Sequence, residues 1–360
     1  MISLSKPIIE IEETEAILEV LRSGQLAQGP KVYALEEAFA KTVGTKHAVA
    51  VSSGTAALHL ALLAHGIGPG DEVITPGMSF IASASSIVFA GARPVFADVL
   101  PDYTIDPDDV VAKLTNRTKA VICVHLYGLP CELVRLGDIC AGLGIPLIED
   151  CAQAIGAKFC GHSVGSFGTG CFSLYATKNI MSAEGGMVTT DQDHIAARVR
   201  SLRAHGYTDK PYMHDRVGYN YRMTDLSGAL ALAQLAKLDR FTTRRRHIAD
   251  RYDRAFDDDW NTPQTDIRRL HCYHQYTLRA GDLDAGRRTN VLKQLKDAGI
   301  ATGMFYPLPL HKQPAFRSYT DRTSLRFSEL FCDEVFQIPV HPALTDAEVD
   351  YIITTVRGLS

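Results

Sequence analysis

Short, uninterrupted apolar segments alternate with helical patterns through the first two-thirds of the chain, and this alternation most constrains the fold. The predicted strands are at 47–51, 72–75, 94–99, 120–125 and 146–149. The predicted helices between them are at 55–65, 79–90 and 133–143. Strands that are apolar throughout and separated by helices are typical of a parallel sheet covered on both faces. The sequence therefore predicts an α/β fold with a mostly parallel central sheet.

From about Leu226 onwards the pattern changes, because apolar residues recur at helical spacing and a long basic helix follows. The elements predicted after that helix are a strand, a helix, a second strand and terminal helices, the first three at 273–279, 285–298 and 300–305. We therefore predict a large α/β domain over residues 1–240, including an N-terminal arm. A smaller α+β domain is predicted over residues 241–360.

Charge and apolar content exclude two classes of partner. Lys and Arg number 37 and Asp and Glu number 41, which gives a net charge of −4 at pH 7. A nucleic-acid-binding protein usually carries a marked basic excess. No apolar run reaches the roughly 18 residues that a membrane-spanning helix needs. We therefore predict neither nucleic acid nor a membrane as a partner.

Cysteine usage and the N-terminal residues indicate the compartment. None of the eight cysteines forms a C-x-x-C pair, which favours buried reduced thiols over zinc or redox sites. The first 15 residues contain four glutamates, which does not suit a secretory signal. We predict a cytoplasmic protein, and no metal site.

The first segment that could carry chemistry is Ser52-Ser53-Gly54-Thr55, between a predicted strand and a predicted helix. Backbone N–H groups at a helix N-terminus, with hydroxyl groups beside them, form a suitable site for a phosphate. Serine and threonine also cap helices without any ligand. The segment alone leaves the phosphate site and the simple cap as alternatives.

The second segment places Glu149 and Asp150 at the end of an apolar strand. Ligands of parallel sheets usually bind at this edge, and a buried carboxylate there needs a cationic partner or a metal. Asp150 could instead cap the next helix. The sequence leaves these alternatives open.

The third candidate is Lys178, the only Lys, Arg, Asp or Glu between Lys158 and Glu184. Weakly polar surroundings can desolvate a lysine, lower its pKa and free its amine to act as a nucleophile or base. The alternative is an ordinary surface lysine on a loop.

A phosphate site, a carboxylate and an isolated lysine on one α/β scaffold are what pyridoxal 5′-phosphate (PLP) requires. Its phosphate binds N–H donors, its ring nitrogen is kept protonated by a carboxylate, and its aldehyde reacts with a lysine. The chain has no G-x-G-x-x-G after the first strand and no G-x-x-x-x-G-K-[ST] motif. Dinucleotide binding and P-loop phosphoryl transfer therefore lose their usual support.

At these residues the sequence closely resembles the DegT/DnrJ/EryC1/StrS aminotransferases, which are sugar aminotransferases of PLP fold type I. The resemblance runs over nearly the whole chain, in eight segments that follow the same order. They are Gly29-Pro30-Lys31, Ser53-Gly54-Thr55-Ala56-Ala57-Leu58, His125-Leu126-Tyr127-Gly128, Glu149-Asp150-Cys151-Ala152-Gln153, Thr177-Lys178-Asn179, Glu184-Gly185-Gly186, Gly218-Tyr219-Asn220-Tyr221-Arg222-Met223 and Tyr306-Pro307-Leu308-Pro309-Leu310-His311.

The resemblance implies a role for each matching residue around PLP and its aminated form, PMP. Lys178 would form the Schiff base with the cofactor aldehyde and carry the catalytic proton. Asp150 would pair with the ring nitrogen, and Gln153 would lie near the 3-oxygen. The residues implied to hold the phosphate are Ser53, Gly54, Thr55 and Ser173.

Four further residues have implied roles at the edges of the site. Phe80 occupies the position where the family places an aromatic ring over the cofactor. Asn220 is similar to the residue that reaches the phosphate of the neighbouring subunit, which implies a homodimer with shared active sites. Tyr306 and His311 match positions near the sugar pocket.

The resemblance implies an aminotransferase that moves an amino group from an amino acid, L-glutamate, to a keto group of a nucleotide-linked sugar. The product would be an amino sugar for polysaccharide or secondary-metabolite biosynthesis. A keto-cyclitol acceptor, a non-catalytic regulatory protein of the PLP fold and a nicotinamide-dependent sugar dehydrogenase are the alternatives. Relatives that dehydrate keto sugars carry His at the lysine position, so Lys178 argues against that reaction.

Overall fold

A seven-stranded sheet forms the centre of the fold and carries candidate residues at its edge. The computed structural model describes residues 1–208, 210, 212–256, 260–279, 285–320 and 324–359. Its strands are β1 (His47–Val51), β2 (Glu72–Pro76), β3 (Arg93–Ala97), β4 (Thr118–Val124), β5 (Leu147–Asp150), β6 (Lys158–Phe159), β7 (His162–Ser163), β8 (Thr169–Ser173), β9 (Gly186–Thr190), β10 (Arg269–Leu270), β11 (Tyr276–Arg279) and β12 (Val335–Ile338).

The strand order of the central sheet is β1-β9-β8-β5-β4-β2-β3. Strands β8, β5, β4, β2 and β3 run parallel to one another, and β9 is antiparallel to both β1 and β8. The predicted mostly parallel sheet is therefore confirmed. The carboxyl ends of β5 and β8 lie side by side, which brings Asp150 opposite Cys171 and close to Ser173.

Twelve α-helices lie within the described residues. They are α1 (Ile11–Ser23), α2 (Pro30–Val43), α3 (Gly54–Ala64), α4 (Ala82–Phe89), α5 (Pro107–Ala112), α6 (Leu133–Leu143), α7 (Asp193–Arg203), α8 (Asp225–Leu235), α9 (Leu238–Phe256), α10 (Ala285–Asp297), α11 (Arg326–Glu334) and α12 (Asp346–Arg357). The helix predicted at 133–143 is observed with the same bounds. The one predicted at 79–90 begins only at Ala82 and ends at Phe89.

Helices cover both faces of the central sheet, as an all-apolar strand pattern requires. Along β1, Ala48 and Ala50 pack into one core with α2, α6 and α8, whereas Val49 and Val51 pack into the other with α3, α4 and α7. This alternation follows from the two-residue period of a strand. Phe39 of α2 contacts the Phe172 ring of β8 edge to face, with the centroids 5.0 Å apart.

A third core lies in the C-terminal part of the chain, where β11 and β12 pair antiparallel beneath α9, α10 and α12. Helix α9 links this core to the core that contains α2, α6 and α8. Leu238 and Phe241 at its start pack with the large core, and Tyr252 and Phe256 near its end pack with the small one. The predicted division at residue 240 falls inside this helix, and it stays a prediction.

The strand predicted at 300–305 is wrong. Only Ile300 and Gly303 form isolated bridges, to Ile2 and Gln337. The ladder stops because the Phe305 N–H donates to the side-chain oxygen of Gln337, at 2.9 Å, and not to a backbone carbonyl.

The cysteines bear on the prediction of buried reduced thiols, and the helices bear on the prediction that no membrane is a partner. Seven of the eight cysteines are buried, Cys160 is exposed, and all eight are free thiols. No helix in the described ranges is both long enough and apolar enough to cross a membrane.

Candidate active site

A cavity of about 400 Å³ opens at the carboxyl edge of the central sheet. The structure brings most of the predicted site residues to its wall, although they are spread over more than 250 positions of the sequence. The predicted residues that line it are Ser53, Gly54, Thr55, Phe80, Asp150, Gln153, Ser173, Lys178 and Tyr306. A volume of this size is in the range of small-molecule sites.

The N-terminus of α3 forms one end of the cavity. The Ser53 hydroxyl oxygen accepts a hydrogen bond from the Ala56 N–H at 3.1 Å, so Ser53 is the helix cap. The N–H groups of Gly54 and Thr55 belong to the first turn, where no carbonyl of the helix is available to them. Ser173 lies beside them, and its hydroxyl can still donate, because it accepts from the Tyr175 N–H at 3.3 Å. The capping role and the anion-binding geometry therefore coexist.

Glycines make this end of the cavity possible. A Cβ on Gly54 would lie 2.8 Å from the Ser173 Cβ, and a Cβ on Gly186 would lie 2.4 Å from the Ser53 carbonyl oxygen. Both distances are shorter than side chains tolerate. Strands β8 and β9 can approach the start of α3 this closely only because Gly54 and Gly186 lack a side chain.

Asp150 also lines the cavity and is buried. Its carboxylate accepts hydrogen bonds from the Ser83 hydroxyl at 2.8 Å and from the Ala152 N–H at 3.1 Å. No Lys, Arg or His side chain of the described residues lies within ion-pair distance of it. Burial therefore raises the pKa of Asp150, although the two hydrogen bonds and the positive charge of Lys178 partly oppose the shift.

Gln153 and Tyr306 are joined across the cavity wall. The Gln153 side-chain oxygen accepts from the Tyr127 N–H at 2.7 Å, and its amide nitrogen donates to the Tyr306 hydroxyl at 3.1 Å. The first bond fixes which end of the amide is the donor. Burial raises the pKa of Tyr306, so its hydroxyl stays protonated. Tyr127 also donates its hydroxyl to the Phe305 carbonyl, which holds the segment before Tyr306 in place.

Lys178 lines the same cavity as Asp150 and the start of α3. Desolvation lowers the pKa of its amine to about 8, and the nearby negative charge of Asp150 opposes that shift. A lysine with this pKa has a large unprotonated fraction at neutral to mildly basic pH, whereas an ordinary lysine, with a pKa of about 10.4, has almost none. An unprotonated amine is the form that can act as nucleophile or base.

Phe80 lies at the mouth of the cavity with 53% of its surface exposed. Its ring centroid is 5.9 Å from that of Tyr306, at an angle of 38°. The two rings therefore form an aromatic rim, in which Phe80 retains an open face.

Two predicted residues lie outside this cavity. His311 is buried, and its ring Nε2 is 3.0 Å from the Glu329 carboxylate. Asn220 is exposed and forms an isolated bridge with Ala204. The structure thus gives His311 a partner within the fold and leaves the Asn220 side chain at the surface.

Sequence reasoning missed several residues of the site. Ser83, which donates to Asp150, comes from α4, and a serine in an apolar helix carried no distinguishing signal. Glu184 and His274 line the cavity itself. Glu184 lies in a segment that the resemblance includes, but His274 precedes β11, almost 100 residues from Lys178, and only the folded chain shows their proximity.

The site can now be compared with known proteins. The sequence profile of the DegT/DnrJ/EryC1/StrS aminotransferase family matches residues 7–357. The chain belongs to this family. Its structural neighbours are sugar aminotransferases of the same family, and three of them are described next.

The aminotransferase TlmJ from Streptoalloteichus hindustanus is 34% identical, over 100% of this chain and 98% of that one, with a TM-score of 0.94. Spr1654 from Streptococcus pneumoniae, assigned as a sugar aminotransferase and solved in its PMP form, is 30% identical over 100% and 99% of the chains, with a TM-score of 0.94. PseC from Helicobacter pylori, an aminotransferase involved in the biosynthesis of pseudoaminic acid, is 28% identical over 99% and 98%, with a TM-score of 0.95.

The protein is therefore a PLP-dependent aminotransferase of fold type I, and the cavity fits that cofactor. Unused N–H groups of Gly54 and Thr55 suit a phosphate. Asp150 is a buried carboxylate without an ionic partner in the described structure, and such a group is stabilised by a cationic ring nitrogen. Lys178 presents a desolvated amine on the wall of the same cavity.

Proposed function

We propose that this aminotransferase moves an amino group from L-glutamate to the keto group of a nucleotide-linked sugar, with Lys178 as the catalytic residue. The observation that carries the proposal is that a desolvated lysine amine, a helix N-terminus and a buried carboxylate line one cavity. The names of the relatives support a sugar as the acceptor, since PseC serves pseudoaminic acid biosynthesis and Spr1654 is assigned as a sugar aminotransferase.

Each lining residue has a proposed role toward the cofactor. Gly54 and Thr55 bind the phosphate through backbone N–H groups and Ser173 through its hydroxyl, while Ser53 maintains the helix start. The Asp150 carboxylate keeps the ring nitrogen protonated. Gln153 donates its remaining amide hydrogen to the 3-oxygen. Phe80 covers the ring.

PLP, when bound, supplies an aldehyde that exchanges amines and a ring that accepts the electron pair of the broken Cα–H bond. The chain's own contribution to the proton transfer is Lys178. Once the amino-acid donor has displaced it, the free amine takes the α-proton of the donor as a general base. In the acceptor half of the reaction the same residue returns a proton to the carbon that receives the amino group. The lowered pKa of Lys178, about 8, suits both directions near neutral pH.

The acceptor side of the cavity suits a polyhydroxylated substrate. Glu184, Tyr175 and Thr177 present hydroxyl and carboxylate groups beside Lys178, and these bind sugar hydroxyl groups well. We propose that Tyr306 contributes as well, since its hydroxyl can donate while it accepts from Gln153. His311 then supports the loop behind Tyr306 through Glu329 and contacts the sugar only if that loop moves.

A second copy of the chain completes the site in this proposal. Lys178 is the only cationic side chain among the described lining residues, although the cofactor phosphate and a glutamate donor are both anionic. The surface segment that leads to Asn220 exposes Tyr212, Met213 and Val217, with 85%, 56% and 89% of their surfaces accessible. Apolar groups exposed together mark an interaction surface. We propose that this segment joins a homodimer and brings Asn220 to the partner's phosphate site.

The first test follows the two half-reactions spectroscopically. The purified protein mixed with PLP is expected to give a visible absorption band, which glutamate removes as the PMP form accumulates. The PMP form is then mixed with nucleotide-linked 3-keto and 4-keto hexoses and with keto-inositols. Return of the band with a nucleotide-linked sugar supports the proposal, and return only with an inositol would replace the sugar by a cyclitol.

Lys178→Ala removes the amine and Lys178→Arg is the matched control that keeps the charge but not the nucleophile. Both are expected to abolish the band and both half-reactions. Borohydride reduction followed by peptide mapping should place the PLP adduct on residue 178. An adduct elsewhere, or a wild-type protein that binds PLP without reacting with any amino donor, would contradict the catalytic proposal. The second result would favour a regulatory protein.

A further inference from the structure

His274 lines the active-site cavity beside Lys178, and the reaction described above does not use it. The side chain is buried, in the segment just before β11. Its neighbour Gln275 donates its N–H to the Tyr127 carbonyl at 3.2 Å, and this bond ties the segment to the wall of the cavity. His274 therefore has a fixed position within the site.

The hydrogen bonds around His274 determine which ring nitrogen carries the proton. The Asn179 amide nitrogen donates to the Cys272 carbonyl at 3.4 Å, so the Asn179 side-chain oxygen faces the other way. That oxygen is 3.1 Å from His274 Nδ1 and can only accept. Nδ1 therefore carries the hydrogen. A neutral imidazole has one N–H, so Nε2 presents a lone pair.

The surroundings keep this ring neutral. Burial, and then the positive charges of Lys178 and Arg245, lower the pKa of His274 well below its usual value. Arg245 is itself buried, with its guanidinium donating to the carbonyls of Tyr273 and His274, and no carboxylate of the described residues pairs with it. A ring in this environment accepts hydrogen bonds without becoming a cation.

Nε2 is the one polar atom of this ring that has no hydrogen-bond partner in the described parts of the chain. Lys178 lines the same cavity and is close enough for its charge to act on His274. Asn179, which orients the His274 ring, follows Lys178 in the sequence, so the segment that carries the amine also orients the acceptor.

We propose that His274 is a positioning residue for Lys178, whose amine donates a hydrogen bond to His274 Nε2 once the amino-acid donor has displaced it. The bond uses one amine hydrogen and leaves the nitrogen lone pair free to take the α-proton of the donor. It persists after the proton is taken, since an ammonium group is also a donor. This inference rests on the proposed role of Lys178 and deepens it.

The test uses glutamate as the donor probe and 2-oxoglutarate as the acceptor probe, in rapid-mixing experiments with the PLP and PMP forms. His274→Phe keeps a ring of similar size and removes the acceptor. We expect both half-reactions to slow by about 10- to 100-fold at saturation, the range for a hydrogen bond to a charged group, with little change in KM. His274→Gln retains an acceptor oxygen and should recover part of the rate.

His271→Phe is the matched control, because His271 is a buried histidine of the same segment that does not line the cavity. We expect its half-reactions to stay within about twofold of wild type, the usual size of an effect away from the reacting groups. A His274→Phe protein with normal rates would overturn the proposal. The proposal would also be overturned if the His274→Phe protein reacted slowly only when a keto sugar is the acceptor, since His274 would then be a substrate contact.

A second measurement does not depend on activity. In apoenzyme labelled with ¹⁵N-histidine, the signals that disappear in His274→Gln belong to His274. We expect them to report a protonated Nδ1 and an unprotonated Nε2 from pH 6 to pH 9, and a protonated Nε2 would overturn the proposal even if His274→Phe failed to fold. A wild-type protein that does not react with glutamate would instead contradict the proposed donor, so the two failures are distinguishable.

Discussion

Glu149 and Asp150 are consecutive residues of β5, and their side chains extend from opposite faces of the sheet. The Glu149 carboxylate accepts from the N–H groups of Gly165, Phe167 and Gly168 at 2.7–2.9 Å, and it is 3.2 Å from the His125 ring nitrogen. The Asp150 carboxylate has two donors and borders the cavity. Two buried acids one residue apart thus have very different degrees of hydrogen bonding.

The difference separates a structural acid from a reactive one. A carboxylate surrounded by donors is stabilised as an anion and fixes the loop that supplies those donors, here the loop between β7 and β8. A buried carboxylate with fewer donors is less stabilised as an anion, and a cationic ligand can supply the missing stabilisation. The number of donors around a buried acid, more than its burial, indicates which of the two can take part in chemistry.

The largest effect is expected for Asp150→Asn. The amide has nearly the shape of the carboxylate but cannot hold the positive charge of a ring nitrogen, so the half-reaction with glutamate should slow by about 100- to 1000-fold. The measurement is the single-turnover rate, with the free energy of unfolding of the apoenzyme measured alongside. We expect that free energy to be retained. A protein that loses stability but reacts at the normal rate would reverse the roles assigned to the two acids.

A smaller and opposite effect is expected for Glu149→Gln. One side-chain oxygen becomes an NH₂ group, which cannot accept from the surrounding N–H donors and leaves at least one of them unpaired. The free energy of unfolding should fall by about 2–3 kcal/mol, as measured by urea denaturation. The reaction rate with glutamate should change by less than about tenfold at a temperature where the variant is folded. A rate loss as large as that of Asp150→Asn would show that Glu149 acts on the chemistry as well.

The same pair shows what could be predicted from the sequence. The strand and its position at the carboxyl edge followed from a continuous apolar pattern, because such patterns report burial on both faces. Choosing Asp150 over Glu149 needed the family resemblance, since both residues read as acids at the end of one strand. The donors that distinguish them come from residues 83 and 165–168, and contacts between distant segments leave no periodic signal.

Other predictions from the sequence failed for related reasons. Strands β8 and β9 were not predicted, because they contain Gly and Thr in place of a continuous apolar run. Glycine is required at position 186 for the close approach of β9 to the Ser53 loop. The predicted strand at 300–305 has the right composition, but a side chain takes the place of its next backbone partner. The tautomer of His274 depends on Asn179, 95 positions earlier. Composition and periodicity report burial, and they do not report which distant group completes a hydrogen bond.

The smallest expected effect concerns the pH dependence of apoenzyme stability. Burial raises the folded-state pKa of Asp150 above its unfolded value of about 3.9, so the folded apoenzyme binds the proton more tightly than the unfolded chain. Stability therefore falls as the pH rises from about 4 through the folded-state pKa. Asp150→Asn lacks this titration, so its free energy of unfolding relative to wild type should increase over that range and then level off. Urea denaturation between pH 4 and pH 7 measures the difference, below the titration of Lys178 at about pH 8.

Ser83→Ala sharpens this test, because the Ser83 hydroxyl is the donor that most lowers the pKa of Asp150. Without it the folded-state pKa should rise further, and the wild-type loss of stability should extend to higher pH in this variant. Titrations shared by all three proteins cancel in the differences between them. A relative stability of Asp150→Asn that decreased with pH would mean that the folded protein favours the ionised acid even without a cofactor. Asp150 would then resemble Glu149. The fold itself would stabilise both acids as anions, and neither would need a cationic ligand.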